Sequence, residues 1–108
     1  LEFAYSARSG EALHMAFHAP VGQAFGFFCG SPAAIGLVMA DRALKSADVE
    51  IISYMTPNRG TSHSNEVIVA VTGNASAVKE AVLTAREIGL QLLISMGSYP
   101  EIPGTSFL

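Results

Sequence analysis

The apolar positions divide this chain into short elements of two different periods. Residues 3–7 alternate large and small side chains as a half-buried strand does, and Ser9-Gly10 ends that run. Over residues 11–17, Leu13 and Phe17 fall four apart on one side of a short helix, which Pro20 and Gly22 close. The stretch AFGFFC at 24–29 is apolar and rich in aromatics, the pattern of a buried strand, and Gly30 breaks it. Ser31-Pro32 reads as a helix start: serine as N-cap satisfies an orphan amide, and proline at the first helical position loses nothing by lacking one. That helix runs to about residue 47, with Ile35, Val38 and Met39 as its apolar stripe.

Residues 49–55 (VEIISYM) and 67–72 (VIVAVT) predict two strands that pair as neighbours, with Val67, Val69 and Val71 on one face. Gly73-Asn74 turns into a second long helix, in which Asn74 is the N-cap and Val78, Ala81, Val82, Ala85 and Ile88 recur at three and four spacing. Gly89 is a candidate cap, with 90–94 either extending the helix or forming a further strand, and 97–108 reads as an irregular tail. The order strand, short helix, strand, helix, strand, strand, helix predicts an α/β fold in the sense of an α+β sandwich: a small mixed sheet with helices packed on one face. What covers the other face is open. Residues 56–66, TPNRGTSHSNE, form a polar loop longer than a hairpin connection requires, and extra loop length usually has a use.

Composition sharpens this picture through a shortage of charge. Apolar residues make up 50% of the 108 positions and charged residues only 14%, where an ordinary soluble domain carries roughly 25%. The length holds one domain able to bury a core without staples. A formal net charge of −3 and the lack of any Lys/Arg cluster argue against nucleic acid as a partner. Residues 12–40 carry no Asp, Glu, Lys or Arg, which raises the question of a membrane span. His14, His18, Pro20, Gln23, Ser31, Pro32 and several glycines break that stretch into short elements, so a membrane partner is not expected. An exterior this poor in charge is usually covered, and a large permanent interface with other chains follows. One cysteine and no secretory pattern at the start of the sequence point to a cytoplasmic setting.

The chemistry-bearing residues give mostly ordinary readings. His14 and His18 have zinc-ligand spacing on one helix, but Met15 stands where a zinc hydrolase needs its glutamate, and no third ligand is evident, so no metal or other cofactor is expected. Cys29 sits in an aromatic strand and reads as a small core residue rather than a nucleophile. Gly26, Gly30 and Gly36 match neither common phosphate-loop spacing, and Pro32 removes one amide. Ser62, His63 and Glu66 supply a hydroxyl, an imidazole and a carboxylate, yet sequence neighbours rarely converge on one reacting atom, so no catalytic residue is assigned and the chain is not expected to be an enzyme. Short hydroxyl and amide side chains here suit a solvated turn or the lining of an opening that hydrogen-bonds a passing polar molecule weakly. Asp41 and Lys45, four apart in acid-first order, read as an exposed ion pair.

SPAAIGLVMADRALKSADVEIISY (31–54), GTSHSNE (60–66), VIVAVTGNASAVKEAV (67–82) and TAREIG (84–89) resemble the shell proteins of bacterial microcompartments. FAYSARSG near the start and GSYPEIPGTSFL at the end are similar to the same proteins, so the resemblance covers nearly the whole chain. The likeness is to the second domain of tandem-domain trimeric shell proteins of propanediol- and ethanol-utilisation compartments. It implies a circularly permuted microcompartment domain, the C-terminal half of a two-domain protein. It implies a homo-oligomer, trimeric or pseudohexameric, that joins other shell proteins in a cytoplasmic microcompartment shell. By the same resemblance Lys45, with Asp41 beside it, lies on the lateral edge where tiles meet. The segment Arg59, Gly60, Thr61, Ser62, His63, Ser64, Asn65 and Glu66 faces an opening for a small diol, alcohol or aldehyde. A trimeric small-molecule sensor of ferredoxin-like type is the alternative, since it shares size and element order.

Overall fold

A computed structural model of the chain describes residues 1–57, 65–97 and 106–107. Its elements are β1 (Glu2–Ser6), α1 (Glu11–Phe17), β2 (Ala24–Gly30), α2 (Ala33–Ser46), β3 (Glu50–Met55), β4 (Val67–Gly73), α3 (Ala75–Ser95) and β5 (Ser106–Phe107). The strands form one sheet in the order β3-β4-β2-β1-β5, antiparallel except for the parallel pairing of β5 with β1. The α+β sandwich and mixed sheet expected from the sequence are thus present, and β3 and β4 are neighbours as the two β-branched runs predict. Within the tail read as irregular, Ser106–Phe107 is strand.

Side-chain parity along β2 decides what lies above and below the sheet. Ala24 and Phe28 join Val67, Val69 and Val71 of β4 in the main core, closed over by Ile35, Met39, Ala40 and Ala43 of α2 and by Val78, Ala81, Val82, Ala85 and Leu93 of α3. Phe25 and Phe27, of the opposite parity, face the other way and meet α1: Phe17 packs in tilted geometry at 5.4 Å from Phe25 and 5.8 Å from Phe27, ring centre to ring centre. The two long helices therefore share one face, as expected. The short α1 covers part of the opposite face, because AFGFFC places large aromatics on both sides of β2.

One helix boundary differs from the sequence expectation, and one that the sequence leaves open is resolved. Pro32, not Ser31, occupies the N-cap of α2, and no side chain of its own caps the helix. Gly89 does not end α3, which continues to Ser95 as one of the two open alternatives had it; a Cβ there would lie 2.8 Å from the Met39 sulfur, so Met39 of α2 packs directly on Gly89. Asn74 does cap α3, its side-chain oxygen accepting from the Ala77 amide at 2.9 Å. Among the described residues, no helix is long and apolar enough to cross a membrane.

Candidate functional site

Among the described residues, Asn65 and Glu66 lie at the corner where β2 passes into α2, and Asp41 and Lys45 lie on the outer surface of α2. At the corner, the residues just before β4 run alongside the β2–α2 turn, since Val67 at the start of β4 is in register with Gly30. Ser31 Oγ donates to the Asn65 carbonyl at 2.8 Å. The Ala33 amide, in the first turn of α2, donates to Asn65 Oδ1 at 3.2 Å. Asn65 thus does for α2 what Ser31 was expected to do: a side-chain oxygen from another part of the chain meets one of the orphan amides. Ser31 is turned to hold the loop instead.

Two residues before Ser31 and one after Asn65, the Cys29 thiol donates to Glu66 Oε2 at 3.4 Å. Cys29 is buried, and burial, followed by the hydrogen bond to Glu66 and the charge of that carboxylate, pushes its pKa up to about 12. A thiol so held is protonated at neutral pH and is a poor nucleophile. Cys29 is a structural residue, though a hydrogen-bonding one rather than the purely apolar filler read from its neighbours. The sequence signal that could have found this corner is the pairing of two short polar motifs, SP and NE, each abutting a strand whose partner is the other.

Of the expected loop residues, Asn65 and Glu66 are therefore brought to this corner, while Arg59, Gly60, Thr61, Ser62, His63 and Ser64 lie outside the described residues. The glycines near the β2–α2 turn have a packing use. A Cβ on Gly36 would lie 2.6 Å from Val67 Cβ and 2.8 Å from the Gly30 carbonyl, so α2 can sit this close to the sheet only with glycine there. His14 and His18 are used locally: His14 Nδ1 lies 3.1 Å from the Ala19 carbonyl, and His18 adopts the left-handed conformation that ends α1, its amide donating to the His14 carbonyl.

On the outer surface of α2, Lys45 Nζ donates to Asp41 Oδ2 at 2.8 Å, with side chains 73% and 57% exposed. Lys45 also borders a shallow groove between α2 and α3 with Arg42, Ser46, Thr84 and Ile88. Thr84 and Ile88 are additions that sequence reasoning did not make. Large apolar side chains stand exposed around the same molecule, among them Leu37 and Val38 on α2, Ile51 and Tyr54 on the edge strand β3, and Leu83 on α3.

Comparison with known proteins places this architecture. Residues 24–102 match the family described as the BMC domain. The chain is 47% identical over all 108 residues to the bacterial microcompartment shell protein PduB of Salmonella typhimurium, of which it spans 40%. Among solved structures it resembles a trimeric bacterial microcompartment shell protein PduB, with a TM-score of 0.89 and 44% identity over 100% of this chain and 48% of that one. It also resembles EtuB from Clostridium kluyveri, with a TM-score of 0.91 and 40% identity at the same coverage. The chain spans less than half the length of these relatives. With the family match running from β2 through α3, this chain belongs to the BMC domain family.

Proposed function

We propose that this chain is a structural part of a bacterial microcompartment shell, with no catalytic role, and that its domain is one of two in a tandem-domain protein that assembles as a trimer resembling a hexagonal tile. The observation that carries the reading is the match to shell proteins over the full chain at 47% identity, with the fold reproduced at a TM-score of 0.89. The surface supports it. An exterior with few charges and with exposed Leu37, Val38, Ile51, Tyr54 and Leu83 suits a molecule covered by neighbours, in a shell within the cytoplasm. The ferredoxin-like sensor is not favoured, because the relatives are named as shell proteins.

In this reading Lys45 and Asp41 stand on the lateral edge between tiles, and their exposure leaves them available to a neighbour. The loop through Arg59 and Glu66 borders an opening for a small diol, alcohol or aldehyde. Passage is passive, which calls for uncharged donors and acceptors such as Thr61, Ser62 and Ser64 that bind weakly enough to release the solute. Lys45→Asp tests the edge. The domain is expected to stay folded, because an exposed i,i+4 pair is worth about 0.3–0.5 kcal/mol, while extended sheets seen by electron microscopy are lost. Normal sheets from Lys45→Asp would remove the lysine from the edge.

A further inference from the structure

Resting on the reading of the 59–66 loop as the border of an opening, we propose that Asn65 is a positioning residue: it acts on passage by bracing the end of the loop against α2, not by offering its amide to the solute. Both of its oxygens are engaged within the chain. Oδ1 accepts from the Ala33 amide at 3.2 Å and the main-chain carbonyl accepts from Ser31 Oγ at 2.8 Å. The following residues are pinned as well, Glu66 by the Cys29 thiol at 3.4 Å and Val67 by its burial and its pairing with Gly30. Withdrawing the Asn65 side chain toward a solute would leave the Ala33 amide without its acceptor at a helix end that has no cap of its own. The brace thus joins the loop to the same helix that carries Asp41 and Lys45.

A brace and a contact group respond to substitution in opposite orders. Asn65→Asp keeps an oxygen where the Ala33 amide needs one and sets a negative charge at the positive end of α2, so a brace survives it. A contact group would instead bring a new charge to the opening. Asn65→Ala removes the brace but only trims a contact group. The experiment measures uptake of glycerol and of acetate by shells assembled from the full chain, alongside electron microscopy of the shells.

The expected result is wild-type uptake of both solutes for Asn65→Asp and altered uptake for Asn65→Ala. Ser31→Ala, which removes a single bond, should fall between them and carries the comparison if Asn65→Ala shells do not form. Uptake that changes with Asn65→Asp overturns the brace, whatever Asn65→Ala does. Uptake indifferent to both Asn65→Ala and Ser31→Ala overturns it equally. A bulky control, Ser62→Trp, separates the two levels: if it leaves glycerol uptake unchanged, passage past this loop fails as a reading, independently of how Asn65 behaves.

Discussion

Cys29 and Glu66 stand 37 positions apart in sequence, yet the thiol of one donates to the carboxylate of the other at 3.4 Å, at the point where β2 ends and β4 is about to begin. The pair ties together two neighbouring strands and makes the protonated thiol part of the folded state.

That protonation has a pH consequence. The thiol ionises near 9.0 when unperturbed and near 12 in the fold, so between those values the unfolded chain gives up a proton that the folded chain retains. Stability from this group is complete below about pH 9 and falls as pH rises, by up to about 1.4 kcal/mol per pH unit. Urea unfolding from pH 7 to 10.5 should show a steeper loss for the natural chain than for Cys29→Ala. Parallel curves for the two proteins would contradict the assignment, as would rapid alkylation of the native thiol at pH 8.

The glycines form a graded series. Gly36→Ala drives a Cβ into Val67 Cβ and into the Gly30 carbonyl, neither of which can swing aside, and should cost about 1–3 kcal/mol. Gly89→Ala meets the Met39 sulfur, the more yielding end of a long side chain, and should cost less. Gly10→Ala meets nothing within 4 Å and should lie within about 0.5 kcal/mol of the natural chain. Urea midpoints in any other order would show that the helix–sheet distance is not set at these positions.

Removing the cap of the longest helix should be felt throughout the domain, since α3 packs against the middle of the sheet. Asn74→Ala leaves the Ala77 amide unmatched and should lower stability by about 1 kcal/mol, while Asn74→Asp should restore most of it. Thermal unfolding of the three proteins checks both halves.

Phe17, with Leu13, holds α1 on the sheet, for no residue of that helix is fully buried and the phenylalanine reaches both Phe25 and Phe27. Phe17→Ala should cost less than the ~3–5 kcal/mol of a fully buried phenylalanine, with the loss concentrated locally. Amide exchange of Ser9 and Gly22, whose backbone bonds frame α1, should quicken while the amides of β4 keep their protection. Uniform quickening would mean that α1 is part of the main cooperative unit.

Legibility from sequence followed how local each cause was. The run VIVAVT could be read as a buried strand because β-branched residues crowd a helix and fit a pleated sheet, and Asn74 could be read as a cap because its partner is three residues away. Ser31-Pro32 carries an equally strong local signal, yet the cap falls at Pro32 and the acceptor for the Ala33 amide comes from Asn65, 32 positions on. Gly89 looks like a helix end in isolation and becomes a contact point only once Met39 is known to lie against it. The aromatics of AFGFFC signalled burial but not that they divide between two faces. The Asp41–Lys45 pair was legible because its spacing is its cause.

The parallel pairing of β5 with β1 sets the timetable of assembly. Ala4 is in register with Ser106, about a hundred positions away, so the first strand of this domain acquires its second neighbour last. During synthesis β1 can zip onto β2 early, at little loop-closure cost, but its outer edge stays unpaired until the end of the domain has left the ribosome. A chain cut short just after α3 would keep both long helices and present that edge, which is a template for sticking to other strands.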